Sequence, residues 1–171
     1  MNKGKKVVLM GIFIALGLVL QYMESLIPIA VLPGGKIGLS NIVTIINIYL
    51  LGPLNAIIIA TLRAFLGALL FGGVSAIPYS VVGAILSSSL MGYMIVKTEK
   101  FSPVGISVCG AVTHNLGQII VAMATFMSFR IIVYLPVLIV LGVLGGFITG
   151  ICALKILKHM RNLPRQYKTL T

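Results

Sequence analysis

The stretch VYLPVLIVLGVLGGFITGICALKIL, residues 133–157, contains a single charged side chain, Lys155. A bilayer has a hydrocarbon core about 30 Å thick, which about 20 apolar residues in an α-helix can cross. A soluble protein of ordinary composition has no place for an apolar helix of this length. The stretch therefore predicts a membrane-spanning helix.

Apolar runs of similar character fill the rest of the chain. Of its 171 residues 59% are hydrophobic and 9% are charged, against roughly 25% charged residues in a soluble domain. Between the breakers we predict helices over about 7–23, 39–51, 53–71, 77–96, 103–127 and 133–157, the second of them short and polar. The predicted fold is an all-α membrane protein, a compact bundle of about six transmembrane helices that forms one domain over residues 1–171.

The distribution of basic residues predicts the orientation. Ten of the thirteen Lys and Arg residues fall on one side: Lys3, Lys5, Lys6, Lys97, Lys100, Lys155, Lys158, Arg161, Arg165 and Lys168. Because positive residues stay in the cytoplasm, both termini are expected there, with a basic arm at 1–6 and a basic tail at 162–171. The net charge of +11 is then explained by the orientation of the chain in a bacterial cytoplasmic membrane and by contact of its basic residues with the lipids. No nucleic-acid partner is expected.

Arg63 is the most conspicuous candidate for a functional residue. It follows Pro53 by about 15 Å of helix, which places it near the middle of the hydrocarbon layer. A charge at that depth costs roughly 3 kcal/mol or more, and the two acidic residues, Glu24 and Glu99, are predicted at opposite faces. Arg63 either snorkels and caps helix carbonyls, or it binds an anionic ligand through its planar fork.

Other polar side chains are predicted to face the same space in the outer half of the bundle. Asn41, Thr44 and Asn47 lie on the second helix, and His114, Asn115 and Gln118 lie on the fifth, where an interhelical hydrogen bond is the alternative role for His114. Tyr79 and Ser80 enter the fourth helix from outside, and Lys36 lies in the outer loop. These residues, with Arg63, predict a site for an anionic small molecule captured from outside.

The sequence lacks the usual signatures of an enzyme. It has no paired acidic motif for magnesium diphosphate, no phosphate-binding loop and no nucleophile–base triad. Cys109 and Cys152 lie inside predicted helices without the spacing of a metal site. We therefore predict no catalytic residue, no metal and no cofactor.

Small residues recur at four-residue spacing in several helices. The rows are Gly11/Ala15, Ala60/Ala64/Ala68, Ala84/Ser88/Gly92 and Gly142/Gly146/Gly150. Such rows allow helices to approach closely in lipid, either inside the bundle or against another subunit. The Gly11/Ala15 row, on a first helix at the accessible edge of the bundle, is the predicted docking surface for a partner.

Three stretches resemble the Gx transporter family, whose members are often labelled heptaprenyl diphosphate synthase component I. They are PGGKIGLSNIV at residues 33–43, LLGP at 50–53 with Arg63 following, and GAVTHNLGQ at 110–118. The family is similar to the substrate-binding S components of energy-coupling factor transporters, which are small six-helix proteins. The resemblance implies uptake of a scarce compound and docking of the first helix on a transmembrane subunit driven by two ATPases.

Two functions follow as expectations. The first is a substrate-capture subunit or small uptake transporter for an anionic compound that can also be amphipathic, such as a prenyl diphosphate, a flavin or a quinone precursor. The second is an accessory membrane subunit for isoprenoid or quinone synthesis or for extracellular electron transfer. A chain-elongating prenyl enzyme needs magnesium held by carboxylates, which two acids at opposite faces do not supply.

The predicted orientation can be tested by cysteine labelling. Single cysteines introduced at Asn2, Thr98 and Thr169 should all react from the cytoplasmic side, because basic clusters surround them. Intact cells treated with a membrane-impermeant thiol reagent should therefore leave all three unlabelled until the membrane is opened. Labelling of any one of them from outside would contradict the topology.

Overall fold

The computed structural model describes residues 2–26, 38–97 and 101–161, and these residues form six α-helices. The helices are α1 (Lys3–Ser25), α2 (Asn41–Leu51), α3 (Pro53–Phe71), α4 (Ile77–Lys97), α5 (Pro103–Phe126) and α6 (Leu135–Arg161). Short 3₁₀ turns, Val74–Ala76 and Phe129–Tyr134, precede α4 and α6. All helices except α2 are long and apolar enough to cross a membrane, so the predicted all-α membrane fold is confirmed.

The predicted bounds of α3 coincide with those observed, because the sequence marks both of its ends. Gly52 has a φ of +81°, a conformation that glycine adopts without strain, and Pro53 follows at the first position of the helix. At the other end Gly72 is the C-cap residue, and its N–H donates a hydrogen bond to the carbonyl of Ala68. The turn between α2 and α3 therefore needs a single residue.

The short helix α2 is the centre of the bundle rather than a full span. Its 11 residues extend about 16 Å, roughly half of the hydrocarbon thickness. Residues 41–48 are all buried, and the helix packs against all five of the others. Its apolar side chains share a core with Met91 of α4, Ile106 of α5 and Ala153 of α6. Five membrane-length helices thus surround one buried half-length helix.

The row Gly142/Gly146/Gly150 on α6 is packed tightly against α5. A Cβ atom added at Gly146 would lie 2.6 Å from the Cα of Val108, and one added at Gly150 would lie 2.6 Å from the Cα of Val104. Near the same crossing, the hydroxyls of Ser107 and Thr149 form a buried hydrogen bond of 2.9 Å. This row serves internal packing, one of the two roles that the sequence allowed.

The α3 and α4 rows are also internal. Ala60 and Ala64 of α3 form a buried cluster with Ala84 of α4, and Ala68 is fully buried. A Cβ added at Gly92 would lie 2.9 Å from the Cβ of Pro53. Close contact between small side chains therefore holds α3 against α4.

Helix α1 lies at the edge of the bundle, where it packs mainly on α3 and weakly on α2. Its buried face carries Gly17, Gln21 and Glu24. Gly11 and Ala15 are exposed, and a Cβ added at Gly11 would meet no atom within 4 Å. The Gly11/Ala15 row is thus the one small-residue row named above that faces away from the described helices.

Adding a methyl group at Gly146 should destabilise the bundle. Gly146→Ala forces apart the α5 and α6 backbones, and overpacking of this kind costs about 1–3 kcal/mol. The matched control is Gly11→Ala, which gains the same helix propensity without a clash. We expect a lower thermal unfolding temperature in detergent for Gly146→Ala and an equal or higher one for Gly11→Ala; equal temperatures for both would contradict the packing described.

Candidate functional site

A small cavity with a polar lining, here called the polar cavity, lies between α1, the start of α2 and helices α3 to α6. Its volume is about 40 Å³. Apart from Gly38, Ala64, Ala111 and Gly142, the side chains that line it are polar: Gln21, Glu24, Ser40, Asn41, Arg63, Ser80, His114, Asn115 and Gln118. Buried polar groups are costly in an apolar surrounding, so their concentration at one place makes this cavity the candidate binding site.

Arg63 reaches this cavity from α3 by passing across a glycine of α1. The guanidinium is buried, with 5% of the residue exposed, and a Cβ at Gly17 would collide with its Cδ. Its Nη1 donates a hydrogen bond of 3.3 Å to Oε1 of Gln21. The amide of Gln21 in turn lies where a Cβ of Gly67 would be. Gly17 and Gly67 therefore leave the space that the Arg63 side chain and its partner Gln21 occupy.

Glu24 corrects the expectation that Arg63 has no acidic residue nearby. Its side chain is buried, lines the same cavity and interacts electrostatically with the guanidinium. The carboxylate also accepts a hydrogen bond from the backbone N–H of Gly38. The sequence placed Glu24 at the outer end of the first helix. In the structure α1 packs against α3, and this brings Glu24 close to Arg63. The buried charge of Arg63 is therefore accompanied by an opposite charge.

Five of the other predicted residues meet Arg63 at the polar cavity: Asn41, Ser80, His114, Asn115 and Gln118. Asn41 is the first residue of α2. Gly38, with a φ of +81°, turns the chain before it, and the carbonyl of Gly38 accepts a hydrogen bond of 2.8 Å from the N–H of Asn41. Asn115 is held by a hydrogen bond of 2.7 Å from its Nδ2 to the carbonyl of Leu138. The grouping of these residues agrees with the predicted convergence.

A second cavity, here called the larger cavity, adjoins the polar cavity. Its volume is about 740 Å³, and Gln21, Ser80 and Gln118 line both cavities. Tyr79, which the sequence placed at the site, lines this cavity and not the polar one. The remaining walls are largely apolar and aromatic, with Phe71, Ile119, Phe126, Ile131, Tyr134 and Leu138. The larger cavity lies at the end of the bundle where α1, α3 and α5 end.

Thr44 and Asn47 line neither of these cavities. Thr44 is buried, and its hydroxyl donates to the carbonyl of Ser40, the residue before α2, at 3.5 Å. Asn47 is fully buried, and no hydrogen-bond partner for its amide stands among the residues that the structure describes. Lys36 lies outside the described residues. The polar face of α2 therefore contributes to the cavity only through its first turn.

The sequence argument overlooked the contribution of α1. Gln21 and Glu24 stand three residues apart in a helix whose other residues after the basic start are apolar apart from Tyr22 and Ser25, and both are buried. Polar residues at i and i+3 share a helix face, so this pair was a usable signal. The aromatic lining of the larger cavity gave no comparable signal, because Phe and Tyr are common in membrane helices.

The arrangement is suited to binding through hydrogen bonds and apolar contact. Arg63 supplies N–H donors, Glu24 supplies a carboxylate acceptor, and neighbouring amides can do both. Within residues 2–26, 38–97 and 101–161, no three His, Cys, Asp or Glu side chains gather to hold a metal ion. A ligand that filled both cavities would have a small polar end and a large apolar body.

Comparison with known proteins identifies the family. Neither a curated protein nor a solved structure matches the chain. A family model described as heptaprenyl diphosphate synthase component I matches residues 13–156, which include most of the described helices and both cavities. The chain therefore belongs to the heptaprenyl diphosphate synthase component I family.

Proposed function

We propose that the protein is a substrate-capture subunit of the cell membrane, or a small uptake transporter, for an amphipathic small molecule. The observation that carries this proposal is the junction of the polar cavity with the larger cavity at one end of the bundle. Gln21, Ser80 and Gln118 form the boundary, so one molecule can contact both. The polar end of the ligand meets Arg63, and its body meets the aromatic wall.

The geometry around Arg63 favours binding over a purely structural role for the guanidinium. A snorkelling arginine extends toward the membrane surface, whereas Arg63 is held inside by Gln21 and by contact with Gly17. Preorganised donors bind a ligand at a lower entropic cost than mobile ones. The proposal includes no bond chemistry by this chain.

The exposed Gly11/Ala15 row provides the proposed contact with a partner. By analogy with S components, that partner is an energy-coupling factor transmembrane subunit with its ATPases. A flat row of small residues allows a facing helix to approach closely. The other small-residue rows described above are already occupied inside the bundle, which leaves α1 accessible.

The second candidate function is that of an accessory membrane subunit in isoprenoid or quinone synthesis or in extracellular electron transfer, and the family description favours the synthesis role. In this role the cavities hold a lipid substrate for a separate enzyme. Affinity purification from the membrane separates the candidates. Copurification with ATPase subunits supports capture and uptake, whereas copurification with a soluble prenyl-transferring enzyme supports the accessory role.

Replacement of Arg63 should weaken ligand binding. Native mass spectrometry of the purified wild-type protein should reveal a retained small molecule, and Arg63→Ala should retain about ten-fold less because a charged hydrogen bond contributes about 1.5–3 kcal/mol. Arg63→Lys should restore part of the loss, since it keeps the charge without the planar fork. Thermal unfolding of the same proteins provides the control. Unchanged retention in Arg63→Ala would remove the support for a ligand at this position.

Enlarging the Gly11/Ala15 row should disrupt association with the partner. Gly11→Leu and Ala15→Leu push a facing helix away, while the cavities on the opposite side of α1 stay intact. We expect lost copurification with the transmembrane subunit and normal retention of the small molecule. Leu16→Ala, a change at a neighbouring exposed position that adds no bulk, is the matched control. Normal copurification of both leucine variants would show that α1 is not the docking helix.

A further inference from the structure

The formal charges of two described residues in the polar cavity, Arg63 and Glu24, cancel each other. Arg63 and Glu24 both line it, each with 5% or less of the residue exposed. The other polar lining residues among those that the structure describes are amides and hydroxyls, together with the imidazole of His114. Arg63 is the one Lys or Arg among the described lining residues, so these residues do not offer the excess of positive charge that a ligand with several negative charges requires in a low-dielectric surrounding.

The size of the polar cavity sets a second limit. A volume of about 10–15 Å³ accommodates one water molecule, so about 40 Å³ accommodates a group of roughly three heavy atoms. A diphosphate, with two tetrahedral phosphorus centres, is much larger than this. The larger cavity has the volume but not the charge, because none of its described lining residues is Lys or Arg. As the described residues line them, neither cavity is therefore suited to a diphosphate.

The lining presents a donor and an acceptor on neighbouring helices. Arg63 of α3 donates N–H groups, one of which is fixed by Gln21, and Glu24 of α1 accepts from the N–H of Gly38. A carboxamide, a lactam or a cyclic imide has a carbonyl beside an N–H and would match both. Such a head binds without adding charge, so the balance between Arg63 and Glu24 is retained.

On the basis of the proposed capture function, we propose that the ligand has a compact, uncharged head of the amide or imide type and an apolar body. The head occupies the polar cavity between Arg63 and Glu24, and the body occupies the larger cavity along Phe71, Phe126 and Tyr134. Glu24 is then a residue that determines specificity, because its negative charge disfavours phosphate and diphosphate heads. This assignment departs from the anionic ligand that the sequence favoured.

Three probes with one apolar body test the assignment: farnesyl diphosphate, farnesoate and farnesoic acid amide. Binding to the purified full-length protein in detergent is measured by intrinsic fluorescence or calorimetry. We expect the amide to bind tightest and the diphosphate about ten-fold or more weakly, since a charged head leaves the site with uncompensated negative charge. This order in the wild-type protein is a test that requires no substitution.

Glu24→Gln supplies the second arm of the experiment. Glutamine keeps the shape and can still accept the N–H of Gly38, but it leaves Arg63 with an excess positive charge. The variant should bind farnesyl diphosphate more tightly and the amide more weakly than the wild type. Arg130→Gln, which removes an exposed charge outside the lining of both cavities, is the matched control and should leave the order unchanged.

The outcomes separate this inference from the proposed function. If the diphosphate binds tightest in the wild type, or if Glu24→Gln does not improve its binding, the head-group assignment is wrong while the capture function stands. If none of the three probes binds and native mass spectrometry finds no retained molecule, the capture function is wrong and the inference with it. If none of the probes binds but a retained molecule is found, its accurate mass and fragments decide directly: phosphorus in it overturns the inference, and an amide or imide head supports it.

Discussion

The burial of a guanidinium inside an apolar bundle is the constraint on which the arrangement of this protein depends. Without polar partners, the buried charge of Arg63 would cost roughly 3 kcal/mol or more at that depth. Helix α1 supplies these partners, Gln21 and Glu24. It can do so only because Gly17 of α1 and Gly67 of α3 allow the two helices to approach closely. The same contacts hold α1 on the bundle and line the polar cavity, so packing and site cannot be separated there.

The short helix α2 depends on the same principle of mutual shielding. In lipid an unpaired backbone group costs several kcal/mol, so a helix that stops midway must be surrounded by protein. The five long helices provide that surrounding, and the apolar side chains of α2 pack against Met91 and Ile106. Its first turn, with Ser40 and Asn41, instead faces the polar cavity. One element thus completes the core at one end and the site at the other.

Rows of small residues with the same spacing lie both inside the bundle and on its outer surface. Gly142, Gly146 and Gly150 have no room for a side chain, because α5 already occupies it. Gly11 has open space around it and lies on a helix that packs mainly against α3. Identical spacing in the sequence therefore has two different consequences, and the consequence depends on which neighbour the helix has.

The sequence by itself determined the α-helical membrane fold, the family and most helix ends, because apolar length, glycine and proline act locally. It also predicted that Arg63, Asn41, His114, Asn115 and Gln118 lie close together, and these residues line one cavity, since intramembrane polar residues are costly and therefore gather. Only the tertiary structure decided that Glu24 joins Arg63, that Thr44 and Asn47 turn elsewhere, and that a large aromatic cavity adjoins the site. Those facts depend on how each helix is rotated and tilted against its neighbours. That rotation is set by contacts between residues far apart in the chain, such as Gly17 with Arg63, which spacing within one helix does not reveal.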